Sequence, residues 1–208
     1  MTIATIDTVR PKLVRGRGGG GPASTRTVVA YGFWIFLLSD FILFAGLFAA
    51  YAVLSGNTAG GPTGAELFNL RSVFIETMCL LFSSYACGLG ALSAERRRVD
   101  HFYISAVFTF ALGAAFLFIE ISEFAGMISR GAGPSRSAFL SAFFTLVGTH
   151  GAHVTLGLIW FIYMVAQVAV KGLRPHVLRR LLCFSLFWHA LDIVWVGVFT
   201  LVYLMGVQ

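Results

Sequence analysis

The chain has 208 residues, of which 58% are hydrophobic, only 12% are charged and 21 are phenylalanine, with a formal charge of +6 and a mean hydropathy of +0.84. A soluble domain carries roughly 25% charged residues, so this balance excludes a soluble enzyme or binding module and indicates a polytopic membrane protein. In that setting the basic residues read as topology rather than as a nucleic-acid surface, and no nucleic-acid module is visible.

Residues 1–27 are rich in glycine and arginine, with RGRGGGGP from Arg15 to Pro22, and lack the apolar core of a secretory signal. They read as a flexible cytoplasmic tail. Five apolar segments follow, at about Val28–Leu54, Ser72–Ala94, Phe102–Ile128, Ser137–Val170 and Leu178–Met205. About 20 residues at 1.5 Å each cross a hydrocarbon core of roughly 30 Å, so each segment is long enough to span. The expectation is an all-α bundle of five transmembrane helices over residues 28–208, with links too short to hold a further domain.

Lysine and arginine fall unevenly around these segments: twelve lie in the tail and in the second and fourth links, against only Arg71, Arg130 and Arg136 on the other side. The positive-inside rule then places the N-terminus in the cytoplasm and the C-terminus in the periplasm. Cys79, Cys87 and Cys183 all sit in apolar segments without a C-x-x-C pattern, which reads as buried packing rather than zinc, redox or covalent haem chemistry.

Ionisable residues inside the spans are costly, roughly 2.5–3.5 kcal/mol each at mid-depth, and so mark places that must be paired or used. Asp40 lies near the middle of the first segment, His150 and His153 well inside the fourth, and His189 and Asp192 midway along the fifth. These five are expected to share one depth and form a central polar cluster, with His189 and Asp192 three residues apart on one helix face. A second, outer acidic layer is expected from Glu76, Glu120 and Glu123, with Arg71, Arg130 and Arg136 as candidate ionic partners.

Three chemistries draw on these residue types, with unequal fit. His150-Gly-Ala-His153 lacks both the four-residue spacing and the glutamate of a zinc-protease helix. A bis-histidine haem between the fourth and fifth segments is a second reading. A proton-wire transporter is a third, although all five prolines lie in the tail or links and none breaks a span. Gly148, Gly151, Ala152 and Thr155 surround the histidines, so helices can approach closely there and clamp through buried hydrogen bonds. Residue chemistry alone favours a scaffold.

The segments YGFWIFLLSDFILFAGLFAAYAVL, SAFFTLVGTHGAHVTLGLIW and FWHALDIVWVGVFTLVYLMG, with IEISEF in the third span, resemble the signature stretches of subunit III of haem-copper terminal oxidases. The five-helix form and the link GNTAGGPTG look most like the subunit III of cytochrome bo-type ubiquinol oxidases. The resemblance implies a non-catalytic subunit of the bacterial inner membrane. It would carry no haem or copper and would pack against the haem-copper subunit I, with subunits II and IV in the same complex. That complex oxidises ubiquinol, reduces oxygen to water and pumps protons. Asp40 stands where many relatives have a membrane-embedded glutamate associated with lipid, so a phospholipid bound near Asp40 is expected. An accessory subunit of a cytochrome c oxidase or of a nitric oxide reductase, and an independent transporter, are the competing expectations.

Overall fold

The structure, a computed structural model, describes residues 24–206. The elements are α1 (Thr25–Leu54), a single turn α2 (Gly64–Leu67), α3 (Leu70–Glu95), α4 (Val99–Ser129), α5 (Ala138–Lys171) and α6 (Pro175–Val198), which runs on into a π-helical segment, Phe199–Leu204. All but α2 are long and apolar enough to cross a membrane, with α6 and the π-helical segment counted as one span. The five spans expected from the sequence are therefore present.

Polar side chains and special backbone set where the helices begin and end. Ser24, Asn69 and Ser137 cap α1, α3 and α5 by accepting from the amides of Thr27, Arg71 and Leu140. These caps start the first and second spans two or three residues earlier than the apolar runs suggest. Residues 1–23 of the expected tail lie outside the described residues, and Thr25–Thr27 belong to α1. Gly172, at φ +67°, stops α5, and Pro175 opens α6.

Two contacts fix which ends share a face. Arg26 at the start of α1 pairs with Glu95 at the end of α3. On the other side α2 packs on the end of the chain so closely that a Cβ on Gly64 would lie 2.6 Å from the Gly206 carbonyl oxygen. The first and last described residues thus lie on opposite faces of the bundle.

α3 and α4 form a tight antiparallel hairpin through the short turn Arg96–Arg98, in which Arg97 takes a left-handed φ of 59°. α6 packs on α1, α3 and α5, and α4 also packs on α5. On α1 only Leu37, Phe44 and Tyr51 are buried, a stripe repeating every seven residues, which is the narrow seam of a helix laid against its neighbours. Phe33, Phe41, Leu47, Phe48 and Leu54 flank the seam half-buried, while much of the remaining face, including Tyr31, Ile35, Ile42 and Val53, is exposed and apolar, so this helix sits at the edge and turns that face to lipid or another subunit.

At the centre Trp188 of α6 is 2% exposed. Its ring fits only because α4 and α5 present glycines: a Cβ on Gly113 or on Gly157 would lie 2.9 Å from it.

Candidate functional site

The polar residues of the spans stand in two layers, and the upper one is organised around Leu191 of α6. His150 is fully buried on α5, boxed by the rings of Phe44, Phe116 and Trp195. Its Nε2–H donates to the Leu191 carbonyl at 3.2 Å, which ties α5 to α6, and its Nδ1 has no partner. His153, one turn on, turns back and donates from Nδ1 to the Thr149 carbonyl at 2.8 Å, with its ring against Phe44.

His189 points the other way around α6, toward α3, where its Nδ1 meets the Ser84 hydroxyl at 2.6 Å. Asp192 lies within electrostatic reach of His189 and beside Ser84, leaving its Oδ1 unpartnered. Asp40 is half-buried on α1 and lines a narrow recess with Leu37, Phe44, Phe187, Ala190 and Leu191.

The five residues gather around one level of the bundle, yet the expected single cluster is divided. Among the described residues no hydrogen bond joins any two of them. His189 and Asp192 serve the α3–α6 contact, His150 the α5–α6 contact, and His153 its own helix. The division follows from helix geometry: His150 and His189 face different neighbours, so similar depth does not make them partners.

The second layer holds Glu76 on α3 and Glu120 and Glu123 on α4, close enough to interact electrostatically. Among the described residues the expected ionic partners form no salt bridge with them, and Arg130 alone comes within electrostatic reach, beside Glu123. Arg130 donates to the Gly126 carbonyl of its own helix at 3.0 Å, Arg136 lies beside Gly61, and Arg71 is exposed. Among the described residues the one ion pair is Arg26–Glu95, at the opposite face. Glu76 is 0% exposed with neither carboxylate oxygen partnered, and one oxygen each of Glu120 and Glu123 is likewise buried and unpartnered. Glu120 lies against Gly151, where a Cβ would be 2.7 Å from its Oε1.

Neither layer brings three histidine, cysteine or acidic side chains of the described residues together as a metal would require. What the arrangement does provide is interhelical hydrogen bonding. It is reinforced by Trp188 Nε1–H donating to the Ser83 hydroxyl at 3.1 Å and Trp195 Nε1–H to the Thr77 hydroxyl at 3.0 Å. Ser83 in turn donates to the Thr109 carbonyl, so α6, α3 and α4 are joined in one chain of bonds.

A family model described as cytochrome c oxidase subunit III matches residues 17–207. The chain belongs to the cytochrome c oxidase subunit III family. It is 53% identical over 176 residues to the cytochrome bo(3) ubiquinol oxidase subunit 3 of Pseudomonas aeruginosa, covering 85% of this chain and 84% of that relative. Identity to the protein of the same description from Pseudomonas putida is 51%, with 85% of each chain covered. Identity to the quinol oxidase subunit 3 of Bacillus subtilis is 45%, with 84% of this chain and 86% of that one covered.

For this subunit III chain, sequence reasoning overlooked the tryptophan bonds. Trp188 and Trp195 are seven residues apart on α6, and Thr77 and Ser83 six apart on α3. That matched spacing of donors and acceptors, in two spans that run antiparallel, was the available signal.

Proposed function

We propose that this chain is the non-catalytic subunit III of a bacterial cytochrome bo-type quinol oxidase. It packs against the haem-copper subunit I in the inner membrane, alongside subunits II and IV, and stabilises a complex that oxidises ubiquinol, reduces oxygen to water and pumps protons. The observation that carries this reading is the near full-length identity, on both sides of the comparison, to relatives described as quinol oxidase subunit 3. The buried polar groups support it, because the bonds they make tie one helix to another.

The surface is in keeping with assembly. α1 presents a broad apolar face on a helix held by one narrow seam, which a neighbouring subunit or lipid must cover. The recess at Asp40, between α1 and α6, has room for about one water, so a phospholipid would lie along the exposed apolar face of α1 and meet the half-buried Asp40 carboxylate at its edge. On this reading the chain supplies no ligand to haem or copper.

Affinity purification of the tagged chain from its native membranes tests the proposal. A haem-bearing polypeptide should be recovered at one copy per tagged chain, with quinol-dependent oxygen uptake in the same fraction. Recovery of the chain without haem, or with a haem spectrum when purified alone, would overturn it.

A further inference from the structure

The acidic layer requires something that side-chain packing does not supply. Glu76 and Glu120 are 0% and 3% exposed and carry three buried oxygens without a partner between them. Arg130 reaches the layer only at Glu123, and buried carboxyl groups such as Glu76 and Glu120, with no cation beside them among the described residues, persist inside a membrane bundle only if protons or water take up those oxygens.

A cleft reaches the edge of this layer at Glu123. Glu123 lines a cleft of about 570 Å³ on the face that carries α2, between α2, α3 and α4, with Glu66, Asn69, Ser72, Ser122 and Arg130 along its walls. From Glu123 the layer continues inward to Glu76 and Glu120. We propose that Glu123, Glu76 and Glu120 form a water-fed, proton-holding site that opens through this cleft to the face carrying α2.

The surrounding elements suit that role. α5 brings Gly151 to the Glu120 carboxyl, leaving room for it where any larger residue would intrude. The π-helical segment brings Tyr203, with Tyr51 of α1 nearby, and α3 adds Cys79, so the titratable groups within electrostatic reach are neutral in their ordinary state apart from Arg130 beside Glu123. One turn inward from Glu120 on the same face of α4, Phe116 is 0% exposed and meets Trp195 edge-on with ring centroids 4.6 Å apart. That aromatic plug closes the site toward the opposite face. The site therefore stores and exchanges protons with one side and does not conduct across the bundle, which separates it from a transporter's wire.

The inference concerns this chain's own residues and holds or fails independently of which subunits the chain joins. It is tested on the intact assembly purified from membranes, by infrared spectroscopy during exchange from H2O into D2O. The wild type should show protonated-carboxyl stretching bands that shift within minutes, while the buried amides stay unexchanged, and one band should vanish in each of E76Q and E120Q. Absence of any carboxyl band assigned by those variants, or bands still unshifted after hours, would overturn the proposal. Should either variant fail to assemble, a wild-type cryo-EM map that resolves waters decides. Ordered water from Glu123 to Glu76 supports the site, and a cleft that is dry or filled by another subunit's side chain refutes it.

Discussion

One substitution, glycine to alanine, should change sign from one helix to the next. In a helix interior alanine is favoured over glycine by about 0.8–1.0 kcal/mol. At Gly46 of α1 an added Cβ has nothing within 4 Å, so G46A should leave the isolated chain as stable as wild type or stabilise it by up to that amount. At Gly157 of α5 the same Cβ would lie 2.9 Å from Trp188 Cζ3, 3.1 Å from Phe187 Cε1 and 3.2 Å from Trp188 Cε3. These are ring atoms wedged between α4 and α5, with little freedom to retreat. Overpacking of this kind costs about 1–3 kcal/mol. Because the propensity gain is common to both variants, the stability gap between G46A and G157A reports the overlap itself, about 1–3 kcal/mol. Steric-trapping measurements on the chain in mild micelles would read the gap directly. Replacing Trp188 by Phe in the G157A background relieves the overlap with the indole but leaves Phe187 Cε1 in place, and should recover part of the loss, less the bond to Ser83. Equal stability of G157A and G46A would refute the argument that the glycines exist to admit Trp188.

Other outcomes follow from single contacts. A double-mutant cycle of T77V with W195F should give a coupling of about 0.6 kcal/mol, at most about 1.7, since the ring stays in place and only the Nε1–H bond at 3.0 Å is lost. S84A leaves His189 Nδ1 without its 2.6 Å partner and should cost about 1–3 kcal/mol in chemical unfolding. R26A breaks the Arg26–Glu95 pair, whose side chains are 57% and 46% exposed, and should cost no more than about 1 kcal/mol, shrinking with added salt. D40A should leave haem content per complex unchanged while shortening the time over which the oxidase sustains turnover, followed by oxygen uptake. Loss of the initial rate at full haem content would instead assign Asp40 a direct part in the chemistry.

The five spans are legible because a bilayer imposes a length and composition that few other demands mimic. The short helix α2 left a trace too, in Thr63-Gly-Ala-Glu66, where the Thr63 amide donates to Glu66 and completes a capping box. Partners were harder to read than depth. Counting residues along α3 and α4 brings Glu76, Glu120 and Glu123 to similar levels, but it carries no information on which way Arg71, Arg130 and Arg136 turn, and among the described residues none of them forms a salt bridge with these acids, Arg130 coming only beside Glu123. The same limit divides His150 from His189: each contacts α6 or α3 according to its angle on the helix, which only the packed bundle sets. The π-helical segment, which buries Val202 and Tyr203, has no distinguishing residue pattern of its own.

The central claim, that this chain sustains a quinol oxidase without taking part in its chemistry, is tested most directly on complexes isolated with and without it. The complex lacking this chain should keep its haem spectrum and its initial rate of quinol oxidation, lose activity sooner in continuous turnover, and regain its lifetime when the purified chain is added back. A complex that retains full haem yet shows no initial oxygen reduction until the chain is restored would contradict the account.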